Sequence, residues 1–131
     1  MRWQQRFENF SNAYATFSRV IKAYEADKND EITQMALVQS YEFTIELAWK
    51  TLKDYLENEG YDEVKNAKQT IRQAVQAELL HNAEAWMEAI EMRNKTSHVY
   101  NKAILQELVI FVDTQFYPMV SDLYHLLKKA L

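Results

Sequence analysis

The polar segment from Met92 to Asn101 carries the residues of this chain whose types and spacing are best suited to chemistry. Within it lie the cation Arg93 and the titratable His98. A guanidinium can bind two phosphate oxygens at once, and an imidazole can transfer a proton near neutral pH. Such a pair is a minimal set of groups for metal-independent cleavage of RNA, with no carboxylate cluster required. Arg93 and His98 are therefore the candidate catalytic residues.

The spacing of these two residues decides whether they can act together. On a regular α-helix, residues five apart are rotated by roughly 140°, so a straight helix does not pair Arg93 with His98. If the helix ends near Ser97, His98 can turn back toward Arg93. Asn94 and Ser97 are supporting candidates that would orient His98 or bind a phosphate oxygen. The ordinary alternative is that an arginine and a histidine at a helix end only cap the helix and form salt bridges.

The elements that must position this segment are predicted to be helices. The chain has one glycine and one proline in 131 residues, which leaves little material for tight hairpins. Apolar residues recur at three- and four-residue intervals from Phe7 to Tyr24, the pattern of a bundle helix. A second helix is expected from about Asp30 to Glu59, where Gly60 would end it in a left-handed conformation.

Three further helices follow from the same periodicity. Residues 65–79 read as a short helix, and Asn82 reads as the cap of a helix that leads into Arg93. The last helix begins near Lys102 and must be kinked or split by Pro118. The sequence therefore predicts a single all-α domain over residues 1–131, an up-and-down antiparallel four-helix bundle with one short extra helix.

Composition excludes several classes of protein. Hydrophobic residues make up 48% of the chain, enough for a core, and the absence of cysteine excludes disulfides and thiolate metal sites. His81 and His125 stand alone, so no metal or other cofactor is expected. No apolar run approaches the roughly 20 residues that span a bilayer, and the N-terminus lacks a signal core, so we expect a cytoplasmic protein. The net charge is −4, so any contact with RNA must be local or shared between subunits.

The motif also resembles a known family. The order R-N-K-T-S-H-V-Y from Arg93 to Tyr100 resembles the R-x4-6-H signature of HEPN domains, in the form with a tyrosine two residues after the histidine. The segment 41–56 is similar to the second helix of that family, and residues 71–74 and Trp86 follow in family order. The resemblance spans about residues 6–124 and points to two overlapping groups, nucleotidyltransferase substrate-binding proteins and HepT-like toxins. The chain departs from the family at residues 78–81, where a glycine is common in the turn.

The resemblance implies a partner and a mechanism. Such proteins form symmetric homodimers and act beside a minimal nucleotidyltransferase, the antitoxin, which is encoded nearby. In toxins of this type, the residues that correspond to Arg93 and His98 cleave RNA. The nucleotidyltransferase silences the toxin by transferring AMP from ATP to the motif tyrosine, which here is Tyr100. A two-fold axis near the motif would bring two copies together in one groove.

Three functions stay open at this point. The first is a HepT-like ribonuclease toxin that AMPylation of Tyr100 silences. The second is a non-catalytic subunit that presents a ligand to the nucleotidyltransferase, with the motif binding phosphate. The third is a plain structural bundle in which the motif only ends a helix. Glu46, Trp49 and Lys53 also match the family, but the sequence assigns them first to packing and to local ion pairs such as that of Glu46 with Lys50.

Overall fold

The computed structural model describes residues 2–131, and the regular elements within that range are all helical. The α-helices are α1 (Trp3–Ala26), α2 (Glu31–Asn58), α3 (Ala67–Gln76), α4 (Ala83–Met92), α5 (Lys102–Phe111) and α6 (Tyr117–Lys129). A 3₁₀ segment (Arg93–His98) continues α4, and a π segment (Val112–Phe116) joins α5 to α6. The result is four rods and the short α3, which confirms the predicted all-α bundle.

The helix ends follow local rules that the sequence carries. Asp30 caps α2, and its carboxylate accepts a hydrogen bond from the Thr33 amide at 3.1 Å. At the other end of α2, Gly60 has a φ of 99°, in the left-handed region. The Tyr61 amide donates to the Leu56 carbonyl at 3.0 Å, and the Gly60 amide donates to Glu57 at 3.1 Å. These two bonds form a Schellman motif, so the predicted glycine stop is confirmed.

The turn after α3 repeats this motif without a glycine. The Leu79 amide donates to the Ala74 carbonyl at 2.9 Å, and the Glu78 amide donates to Val75 at 3.0 Å. Glu78 occupies the left-handed position, with a φ of 61°. The departure from the family noted in the sequence therefore places a residue with a β-carbon where glycine has the lowest steric cost.

The core lies between α1, α2 and the α5–α6 rod. The largest fully buried side chains of these helices are Phe10, Phe17, Leu37, Tyr41, Ile45, Leu52, Leu56, Leu108, Phe116, Leu123 and Leu127. Burying each side chain of this size stabilises the fold by about 1.5–3 kcal/mol. Aromatic contacts join the first and last helices, with the rings of Tyr14 and Tyr124 stacked 4.4 Å apart. The core thus fixes α2 beside the ends of α4 and α5.

Pro118 is accommodated by the π segment. A proline has no N–H to donate to the carbonyl four residues earlier, and its ring clashes with that carbonyl. The wider π turn directly before α6 absorbs this defect, and Phe116 at its end stays buried in the core. The predicted interruption near Pro118 is therefore a local change of helix type. In residues 2–131, no helix combines the length and the apolar character needed to cross a bilayer.

Candidate functional site

The motif lies where the α-helix of α4 gives way to a 3₁₀ helix. The α-helix ends at Met92, five residues before the end that the spacing argument required, and the chain continues as a 3₁₀ helix through His98. The Thr96 hydroxyl donates to the Arg93 carbonyl at 2.8 Å within this segment. Asn101 then caps α5, with its side-chain oxygen accepting from the Ala103 amide at 2.9 Å and the Ile104 amide at 3.2 Å. The motif is thus held between a helix end and a helix cap.

Arg93 is turned toward α2, where it forms an ion pair with Glu46. The two side chains are 30% and 35% exposed, so the pair is half-buried. Glu46 also faces Lys50, one turn further along α2, with Nζ 3.7 Å from Oε2. The local pair of Glu46 with Lys50 predicted from the sequence is confirmed. The contact with Arg93 was not predicted, because no spacing rule connects residues 47 positions apart.

A buried tyrosine supports this corner of the site. Tyr41 on α2 is fully buried, and its hydroxyl donates a hydrogen bond to the Ala89 carbonyl on α4. Burial raises the pKa of Tyr41 well above its ordinary value, and the nearby positive charge of Arg93 opposes part of that rise. Tyr41 therefore stays neutral and ties α2 to α4 one turn before the motif.

His98 contacts Tyr100 at the other end of the motif. His98 Nδ1 lies 3.3 Å from the Tyr100 hydroxyl oxygen, and the two rings meet edge to face at 6.0 Å. Tyr100 is 79% exposed, so its hydroxyl is accessible to solvent. Sequence spacing allowed His98 to turn back toward Arg93. In the structure, the polar contact of His98 is with Tyr100, whereas Arg93 is engaged by α2.

The two supporting candidates occupy exposed positions on the 3₁₀ segment. Asn94 lines a groove between α3 and the end of α4, together with Arg93 and Arg72. Ser97 is exposed to solvent. Their proposed roles in orienting His98 or binding phosphate stay predictions.

The part of the chain that the structure describes carries no metal-binding cluster. No group of three or more His, Cys, Asp or Glu side chains there has the arrangement of a metal site. His81 lies in the turn before α4 and His125 on α6 beside Tyr124.

Comparisons with known proteins agree with this architecture. A solved structure of HI0074 from Haemophilus influenzae, described as the fold of a substrate binding domain of a nucleotidyltransferase, superimposes with a TM-score of 0.82. The match covers 93% of this chain and 98% of that chain at 21% sequence identity, and it supports the fold. No curated protein sequence matches the chain significantly. The family model described as nucleotidyltransferase substrate binding protein like matches residues 5–129. Because that match spans nearly the whole sequence, the chain belongs to the nucleotidyltransferase substrate-binding protein family.

Proposed function

We propose that this chain is the partner subunit of a minimal nucleotidyltransferase, and that its working site comprises Arg93, His98 and Tyr100. In the leading form of the proposal, the chain is a HepT-like ribonuclease that AMPylation of Tyr100 silences. The observation that carries it is the exposed Tyr100 hydroxyl, 3.3 Å from His98 Nδ1. The family match and the similarity to the substrate binding domain from H. influenzae support the nucleotidyltransferase as partner.

Tyr100 is suited to accept an adenylyl group. Its side chain is 79% exposed, so the active site of a second protein can reach the hydroxyl. The phenolic oxygen would attack the α-phosphorus of ATP, the bond between the α- and β-phosphates would break, and pyrophosphate would leave. His98 Nδ1 lies within hydrogen-bond distance of the hydroxyl and would accept its proton. The product carries a phosphodiester anion beside the motif, in the place that a substrate phosphate would occupy.

In RNA cleavage, His98 would act as the base and Arg93 would stabilise negative charge. The 2′-hydroxyl would attack the adjacent phosphorus, the bond to the next nucleotide's 5′-oxygen would break, and a 2′,3′-cyclic phosphate would form. His98 would take the 2′-hydroxyl proton, a water molecule would give a proton to the departing 5′-oxygen, and Arg93 would stabilise the negative charge on the phosphoryl oxygens. Arg93 faces α2 while His98 contacts Tyr100, so we propose that a homodimer combines the Arg93 of one copy with the His98 of the other.

A second candidate function is favoured by the pairing of Arg93. Glu46 already occupies part of the hydrogen-bonding capacity of the Arg93 guanidinium. Its carboxylate, beside the proposed phosphate site, also disfavours the extra negative charge of a transition state. An arginine has five N–H donors, so Arg93 can still bind a phosphate while it keeps Glu46. This arrangement fits a non-catalytic subunit that binds a phosphate-bearing ligand and presents it to the nucleotidyltransferase.

The test is a mass measurement paired with a cleavage assay. The purified chain is incubated with the nucleotidyltransferase encoded beside it and Mg-ATP, and its intact mass is compared with those of Tyr100→Phe and the control Tyr61→Phe. We expect the wild type and Tyr61→Phe to gain one AMP, and Tyr100→Phe to gain none. Unmodified wild type should cleave single-stranded RNA, whereas Arg93→Ala and His98→Ala should not. If the wild type does not cleave RNA, the ribonuclease form of the proposal is wrong. If it also gains no AMP, the result favours the non-catalytic binding subunit, which requires neither activity.

A further inference from the structure

A second cationic side chain lies beside Arg93, in the groove between α3 and the end of α4. The groove has a volume of about 380 Å³, and its polar lining consists mainly of Asn66, Lys68, Gln69, Arg72, Arg93 and Asn94. Ligand sites usually have volumes of roughly 300–1,000 Å³, so the space suits a small group such as a nucleotide phosphate and its sugar. Arg72 and Lys68 were not among the sequence-predicted site residues.

The first turn of α3 sets the positions of these cations. Asn66 caps α3 by accepting a hydrogen bond from the Gln69 amide at 2.9 Å. Lys68 and Arg72 are four residues apart and therefore share one face of α3. That face is turned toward α4, because Lys68 Nζ lies 3.5 Å from Glu91 Oε1. Arg72 follows one turn later on the same side and reaches the groove that Arg93 and Asn94 also line.

The charges of the groove favour an anion. Three cations and the single acid Glu91 line it, in a chain whose net charge is −4. Lys68 is paired with Glu91 and Arg93 with Glu46, whereas Arg72 has no carboxylate within salt-bridge distance in residues 2–131. The basic character of this surface is therefore local. An acidic chain can attract nucleic acid only through such a local basic surface, because its net charge repels phosphate.

We propose that this groove binds a nucleoside phosphate group, with the Arg72 guanidinium as its main ligand beside Arg93. Amide groups of Asn94 and Gln69 supply further hydrogen bonds. The inference rests on the proposed function, because Arg93 belongs to both sites. It adds Arg72 as a phosphate ligand outside the R-x4-H motif. The shared chemistry is a phosphate ester of a nucleoside, which either an RNA strand or a nucleoside triphosphate supplies.

The test measures binding by fluorescence anisotropy with two probes, a labelled single-stranded RNA oligonucleotide and a fluorescent ATP analogue. The proteins are the wild type, Arg72→Gln, Arg93→Gln and the charge-matched control Arg19→Gln, an exposed residue on α1. We expect Arg72→Gln to weaken binding by roughly threefold to tenfold at low salt, and to lower the salt slope for RNA by about 0.7. Arg19→Gln should change neither quantity, and thermal unfolding should show that all variants fold.

The outcomes separate the two proposals. Weakening by Arg72→Gln of the RNA probe alone assigns the groove to an RNA strand, and weakening of the ATP analogue alone assigns it to a free nucleotide. If Arg93→Gln weakens binding but Arg72→Gln behaves like Arg19→Gln, the groove is not a phosphate site and the proposed function stands. If the wild type binds neither probe, both proposals are wrong.

Discussion

Glu46 on α2 and Arg93 at the start of the 3₁₀ segment form a half-buried ion pair that joins positions 47 residues apart. The pair fixes the guanidinium against α2 and leaves His98 to contact Tyr100 at the opposite end of the motif. We therefore expect Glu46 to control how much of the Arg93 guanidinium is available to a phosphate.

The first prediction concerns that control. Glu46→Gln removes a negative charge that opposes the binding of phosphate to Arg93. We therefore expect a nucleotide phosphate to bind several-fold more tightly to this variant than to the wild type. Stability should change by no more than about 1 kcal/mol, since partly exposed ion pairs contribute little. Anisotropy with the RNA probe and urea unfolding give the two quantities. Glu42→Gln, an exposed acid one turn earlier on α2, is the control. Weaker binding by Glu46→Gln would show that the pair positions Arg93 and does not compete for it.

The second prediction is a dependence of stability on alkaline pH. Burial raises the pKa of Tyr41, so the folded protein keeps this proton at a pH where the unfolded chain has lost it. The contribution of Tyr41 is fully present below the ordinary tyrosine pKa of about 10 and is lost as the pH rises above it. Urea unfolding between pH 8 and 11 should therefore show a steeper loss for the wild type than for Tyr41→Phe.

Burial also raises the pKa of Tyr14, Tyr24 and Tyr55. Both proteins contain these three tyrosines, so the difference between their stability curves isolates Tyr41. Near neutral pH, Tyr41→Phe should cost about 1–2 kcal/mol, since the Ala89 carbonyl loses its buried hydrogen bond from the hydroxyl. Parallel curves for the two proteins above pH 10 would contradict the assignment.

The third prediction uses the two Schellman turns as a matched pair. Glu78→Gly should stabilise the protein by up to about 1 kcal/mol, because it removes the steric cost of a β-carbon in the left-handed region. Gly60→Ala should destabilise it by about 1 kcal/mol. A β-carbon at Gly60 would meet no atom within 4 Å, so that cost comes from the backbone and not from a clash. Thermal unfolding should show shifts of opposite sign, and shifts of the same sign would contradict the conformational explanation.

The fourth prediction concerns the cap that ends the motif. Asn101→Ala removes the side-chain oxygen that accepts hydrogen bonds from two backbone amides of α5, and it should lower the free energy of unfolding by about 1 kcal/mol. It should also slow AMP transfer to Tyr100, because the neighbouring backbone loses its anchor. Asn82→Ala is the control, since Asn82 holds the equivalent position before α4 without a side-chain capping bond. Equal losses of stability in the two variants would contradict this interpretation.

Local sequence information was enough to predict the helices and the position of the motif. The three- and four-residue spacing of apolar side chains predicts which faces are buried, and Asp30 and Gly60 mark helix ends through bonds within a few residues. These features depend on neighbours in the sequence, so the sequence by itself determined them. The resemblance carried by Arg93, His98 and Tyr100 also lies within one short segment, and the family match confirms it.

Only the tertiary structure decided what the motif residues contact. Arg93 meets Glu46 because core packing places α2 against the end of α4, and Arg72 reaches the same groove because α3 lies against α4. Such contacts depend on how rigid helices settle around a shared core, and no local spacing rule carries that information.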